Sequence, residues 1–222
     1  MKNTNIKIEL DNIKNIQDRS DKIINEVNKI LSHSNSSINK FNFDLLNLEN
    51  IYNIKEIKKV CINYRLRFLD VKYFKGDIPV EAIKKIDRLK KDHSTELKGF
   101  KIMAPSKLFK LKNTDDPLLF IPIGKDYYYM IHKWGDDLHP LRKILMWPSK
   151  NMFNIIITTL FFSLALTILT PKSLFSKTND ISTFFIIFLF IFKGLAAIVI
   201  FCAFFLGKNF NKYIWNSKYN KS

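Results

Sequence analysis

Two apolar blocks near the C-terminus, Asn151–Pro171 and Ile181–Gly207, constrain this chain more than any other feature. The first holds no charged residue and the second holds only Lys193. A hydrocarbon core about 30 Å thick is crossed by about 20 helical residues, and each block supplies that length. A two-helix transmembrane hairpin follows, with spans at about 152–170 and 183–206 inside a region 149–222 that ends in a basic tail.

Lysine and arginine placement orients such a hairpin, because positive charge is retained on the cytoplasmic side. Arg142, Lys143 and Lys150 precede the first span, and Lys208 and Lys212 follow the second. Trp147 and Trp215 flank the two spans, and amphipathic indole rings favour the headgroup zone. All seven are therefore expected at one membrane interface. The intervening PKSLFSKTNDIS is short and carries few charges. The first residues, MKNTNIKIELDNIKNIQDRS, carry charge throughout and have no apolar core, unlike a secretory signal. The expected location is a bacterial inner membrane, with both termini cytoplasmic.

The net charge of +16 invites a nucleic-acid reading. The excess, however, is shared between the central region and the ends of the spans, where anionic headgroups attract each nearby Lys or Arg by about 1 kcal/mol. Lipid headgroups are the expected anionic partner, and no nucleic acid is expected. Cys61 and Cys202 are the two cysteines, one in the soluble region and one in a span, so no disulfide is expected.

Lys193 lies mid-span. A central lysine costs about 2.5–3.5 kcal/mol, whereas the Phe, Ile, Leu and Val residues around it contribute about 7 kcal/mol together, so insertion is retained. At 1.5 Å per residue Lys193 sits about 21 Å from Gly207, and Ser163 and Thr167 sit about 17 and 23 Å from Met152. These levels match. Ala196, Ala203 and Gly207 share the lysine's helical stripe, and small faces are where membrane helices approach one another. The lysine stem leans toward the outer end of its helix, so snorkelling to that interface is the simplest expectation. It is combined with a face toward the first span and donation to Ser163 or Thr167. A partner's carboxylate and an anion-selective pore are the functional alternatives.

Ahead of the hairpin, residues 1–45 read as an N-terminal helical arm and polar linker. Ile23, Ile24, Val27, Ile30 and Leu31 have helical spacing, and SHSNSSINK then supplies the linker. Residues 46–148 read as a cytoplasmic α+β domain: two helices, then a small antiparallel sheet. Ile54, Ile57, Cys61, Tyr64 and Phe68 make one helical stripe, and Ala82, Ile83, Ile86 and Leu89 make a second after Pro79. Alternation from Phe100 to Ala104 marks a strand, and LLFIPI, Gly124-Lys125-Asp126 and YYYMIHKW mark a hairpin. Pro122 lacks an N–H, which places LLFIPI on an edge or at a bulge.

Chemistry-bearing motifs are sparse. His132, Asp136 and His139 lie close in sequence and are the candidate metal ligands, although their spacing fits no zinc signature. The sequence holds no glycine-rich phosphate loop, G-x-S-x-G or H-E-x-x-H. No cofactor and no catalytic residue are assigned. The leading expectation is a non-catalytic, membrane-anchored binding, scaffold or sensor protein with a protein partner or a homo-oligomeric state. An oligomeric pore-forming effector with a sensing domain is the first alternative, and a membrane-associated enzyme is the second.

Overall fold

The computed structural model describes residues 4–16, 39, 41–105, 116–171, 175, 180–205 and 212–217. The chain divides into two units. One comprises Met1–Ile144 with Trp215–Lys218, and the other Leu145–Ile214 with Tyr219–Ser222.

The first unit is an α+β sandwich. Its elements are α1 (Ile6–Ile16), β1 (Ile51–Asn53), α2 (Ile54–Tyr64), β2 (Leu66–Asp70), α3 (Val80–His93), β3 (Lys101–Pro105), β4 (Leu118–Pro122) and β5 (Tyr127–Lys133). The five strands form one antiparallel sheet in the order β1-β5-β4-β3-β2. Strand periodicity sends alternate side chains to opposite faces. On one face Phe68, Met103, Leu118 and Phe120 pack with Ile6 and Leu10 of α1 and Ile57 and Cys61 of α2. On the other, Leu69, Ile102, Leu119 and Ile121 meet Ala82, Ile86 and Leu89 of α3. Phe120 is fully buried and contacts Tyr52 and Phe68 edge-to-face, with centroids at 6.1 and 5.6 Å.

The sheet is larger, and starts earlier, than the sequence pattern indicates. The stripe Ile54 to Phe68 is not one helix: α2 stops at Tyr64, Arg65 adopts left-handed φ 52°, and Phe68 lies in β2. Phe68 happens to fall four residues after Tyr64. Leu66–Leu69 are all buried, so the strand lacks the polar alternation that would have revealed it. The start of α2 is fixed by a capping box, in which Asn53 Oδ1 accepts from the Lys55 amide and Glu56 Oε2 from the Asn53 amide. β4 is central rather than an edge strand. Pro122 is tolerated there because the β3 pairing ends at Phe120, two residues earlier, so no ladder bond to β3 is lost. The expected irregularity sits instead between Leu119 and Phe120.

α1 is a helix that the stripe reading passes over, although Ile6, Leu10 and Ile13 are all buried in the core. Tyr52 Oη donates to Asp11 Oδ1 at 2.7 Å, and Lys14 Nζ donates to the Leu48 carbonyl at 2.9 Å. The helix expected between Ile16 and Leu31 lies outside the described residues, as does most of the Ser-rich linker. Asn39 at its end is buried. Its amide donates to the Lys98 and Pro122 carbonyls and accepts from the Lys98 amide, tying the turn before β3 to the end of β4.

The second unit contains α5 (Met152–Leu169) and α6 (Ile181–Phe205), which pack against each other, and the single turn α4 (Arg142–Leu145) joins the two units in sequence. Their lengths correspond to about 27 and 37 Å. Large apolar side chains cover their outer surfaces: Leu169, Phe190 and Phe205 are each more than three-quarters exposed. Helices apolar all round and uncovered by protein have the character of membrane spans.

Candidate functional site

The seam of the hairpin is built from hydroxyls. Thr159, Ser163 and Thr167 recur every four residues on α5 and are all buried, Ser163 completely. Each hydroxyl donates to a carbonyl of its own helix: Thr159 to Ile155 at 2.8 Å, Ser163 to Leu160 at 2.8 Å and Thr167 to Ser163 at 2.7 Å. Backbone acceptors satisfy these groups without water, as hydrocarbon requires. The opposing side of α6 presents larger residues, with Ile187 buried and Phe184, Phe188, Ile191 and Leu195 half-buried. The buried small side chains thus lie on α5, while on α6 Ala196 and Ala203 are half-buried alongside the large residues.

Lys193 is on the exposed side of α6, beside Phe190, Gly194 and Ala197. The structure does not bring it together with Ser163 or Thr167, whose protons are committed to α5. The sequence signal for the seam on α6, a small-residue stripe, was the weaker cue, because α5 already provides the room. A Cβ at Gly194 would meet nothing within 4 Å, so the surface around the lysine is open.

The interfacial residues divide. Trp147 is 43% exposed, and its carbonyl accepts from Asn154 Nδ2 at 2.8 Å, which fixes the start of α5. Lys150 closes a 3-10 turn between them. Trp215 belongs to the first unit: its half-buried ring packs on the core cluster of α1 and α2, with Lys58 Nζ 5.9 Å from the ring centroid. Lys212 opens the 3-10 stretch Lys212–Asn216, and Lys208 lies outside the described residues.

The candidate metal ligands diverge. His132 projects from β5 towards α3, where its Nδ1 is 3.2 Å from Lys85 Nζ, and its ring stacks on Trp134. Burial and the adjacent Lys85 charge lower the His132 pKa. Beyond Gly135 the chain turns back: Leu138 pairs with Thr4 and enters the opposite core, while His139 Nδ1 accepts from the Leu141 amide in its own turn. Among the described residues no three His, Cys, Asp or Glu side chains form a metal-binding group. Cys61 is fully buried in apolar surroundings, which push its thiol far above the usual range and make it inert as a nucleophile.

Two charged features escaped the motif search. Asp116 has no exposed side-chain surface, and Lys133 Nζ lies 3.3 Å from its Oδ2 while bonding Asp137 Oδ1 at 2.5 Å. Lys133 and the Ile6 amide approach the Asp116 oxygens without forming a well-aligned hydrogen bond. Burial pushes its carboxyl up to about 6, with the Lys133 charge opposing the rise. The other feature is Arg67 on the edge strand β2, 4% exposed, with Nε sealed from solvent and unbonded. Burial lowers its pKa, and Arg65 nearby is lowered by burial and by the Arg67 charge. Arg142 Nε donates to the Tyr64 carbonyl at 3.0 Å, and Lys143 Nζ lies 5.9 Å from the Tyr64 ring centroid. Arg142 and Lys143 therefore reach the end of α2, whereas Arg67, opposite Ala104, lies on the α3 face of the sheet. Sequence spacing could not show this, because Arg142 and Lys143 lie almost 80 residues away in the chain.

Comparison with protein-family models, curated proteins and solved structures finds no match.

Proposed function

We propose that this chain is a membrane-anchored binding protein: its α+β unit engages a ligand or partner at the membrane surface, and the α5–α6 hairpin holds it there. The observation that carries this reading is the contrast between a unit with closed cores on both faces of its sheet and a helix pair whose outer surface is almost wholly apolar and uncovered. Lipid is the covering that such a surface fits. The inner-membrane orientation with both termini cytoplasmic rests on the lysine and arginine distribution. It is also supported by the return of Trp215–Lys218 to the unit that precedes α5. Binding is favoured over catalysis because Lys133 and Glu56, two charged groups largely withdrawn from solvent, are committed to structural contacts: Lys133 to its two aspartates and Glu56 to the α2 cap.

Alkaline carbonate washing of vesicles tests the anchor. Retention in the pellet is expected, and release into the wash would contradict the reading.

Lys193 favours a second reading, an oligomeric pore-forming effector. An ammonium on the exposed side of a span has a strong incentive to find a carboxylate, water or other copies of itself. Overproduction with a potential-sensitive dye distinguishes the two: an anchor leaves the membrane polarised, and a pore depolarises it in a manner abolished by Lys193→Leu.

A further inference from the structure

We infer that the Lys193 face of α6 docks a transmembrane helix of another protein, one that carries an aspartate or glutamate near mid-bilayer. The inference rests on the hairpin anchor proposed above and names the class of partner that the anchor takes.

α6 runs over 25 residues from Ile181 to Phe205, and Lys193 is its central residue. About 18 Å of helix therefore lie on either side of the lysine. A four-carbon stem does not cover that distance, so snorkelling brings the ammonium to water only if the bilayer thins or water enters. The chain itself gives no relief. Lys193 is on the exposed side of α6 and forms no hydrogen bond or ion pair among the described residues. An unpaired charge in hydrocarbon is costly, and a carboxylate at the same depth removes most of that cost.

Charge complementarity decides what the occupant is. A second copy would bring a second Lys193 and no carboxylate, because neither 152–169 nor 181–205 contains an Asp or Glu. Like charges would oppose that contact. A phospholipid holds its anionic group at the headgroup level, about 15 Å from the middle of the hydrocarbon core. A foreign helix with an acidic residue at mid-depth meets the ammonium where it stands.

The surface beside the lysine suits close approach. Phe190, Gly194, Ala197 and Phe201 follow one another at helical spacing and are all exposed. The two small residues leave a shallow notch between the two phenylalanines, and the space above Gly194 is open. Small residues are what allow membrane helices to come near enough for polar side chains to bond across the contact. The rings of Phe190 and Phe201 then bracket the incoming helix.

The test uses the full chain reconstituted in phosphatidylcholine vesicles. The probe is a synthetic transmembrane helix of leucine and alanine with one central aspartate and a dansyl group at one end. The same helix with leucine in place of the aspartate is the control. Energy transfer from the chain's tryptophans to dansyl reports association at each peptide-to-lipid ratio. Wild type should bind the aspartate helix at least about ten-fold more tightly than the control.

Lys193→Leu should bind both helices equally. Lys193→Asp should reverse the preference, taking a host helix with a central lysine over the control; a merely structural role for Lys193 does not produce that reversal. Gly194→Leu keeps the ammonium and meets no atom of this chain, yet it fills the notch and should weaken binding of the aspartate helix. Equal binding of the two helices by wild type, or a preference that survives Lys193→Leu, would overturn the docking face. Cross-linked dimers in peptide-free vesicles that Lys193→Leu abolishes would also overturn it, making a second copy the occupant. Every preparation is first washed with alkaline carbonate. Release of the chain would overturn the anchor and the inference with it, whereas a retained chain with no aspartate preference would overturn the docking face alone.

Discussion

Asp116 shows how a single side chain connects burial to pH. Its carboxyl is raised to about 6 from an ordinary value of 3.8 by burial. The folded state therefore holds the proton longer than the unfolded chain, and stability falls as pH rises from about 4 through about 6. Asp116→Asn removes the titration. Relative to wild type, the variant should gain about 2–3 kcal/mol between pH 4 and pH 7, measured by denaturant unfolding at each pH. Parallel profiles for the two proteins would show that the carboxyl titrates normally. Phe120 tests packing in the same way. It is fully buried between two edge-to-face ring contacts, so Phe120→Ala should cost about 3–5 kcal/mol. Neither residue belongs to a sequence motif. Asp116 reads as an ordinary residue before a proline, and only the approach of Lys133 and the start of α1 makes it a buried charge.

Among the elements, those with a local signal were legible and those defined by partners were not. The β4–β5 hairpin followed from apolar runs around Gly124-Lys125-Asp126, and α3 followed from Pro79 and its stripe. β1 and β2 were hidden because one is three residues long and the other is buried on both faces. Element boundaries set by Arg65 in a left-handed conformation leave no glycine in the sequence to mark them. In the hairpin, the hydroxyl stripe of α5 was visible from spacing, whereas the direction of each hydroxyl was not. That direction yields a prediction. Ser163→Ala removes only a bond to its own helix and should change hairpin stability little. Ser163→Leu places a large side chain at a fully buried position and should cost about 1–3 kcal/mol. Unfolding in detergent, followed by far-ultraviolet circular dichroism, checks the pair; equal losses would indicate that the hydroxyl itself holds the helices together.

At the scale of the whole molecule, composition and the two apolar blocks carried the architecture, and the functional features came from tertiary contacts. Trp215 is the clearest example. Its type and position after a span suggest a headgroup anchor, yet its ring packs on the first unit beneath Lys58. Trp215→Ala should therefore destabilise that unit by about 1–2 kcal/mol, counting lost burial and the cation–π contact, and should leave carbonate retention unchanged. The contact of Arg142 with the Tyr64 carbonyl was likewise invisible, because α4 reaches the end of α2 only in the folded unit.

The central claim is that α5 and α6 cross the bilayer in opposite directions and leave the α+β unit on the inner side. Single-cysteine labelling of intact cells with a membrane-impermeant maleimide tests it most directly, in a background with Cys61 and Cys202 replaced by alanine. Asp180→Cys, at the exposed start of α6, should label without permeabilisation, whereas Glu96→Cys, on an exposed loop of the first unit, should label only after it. Labelling of both positions from the same side would contradict the account.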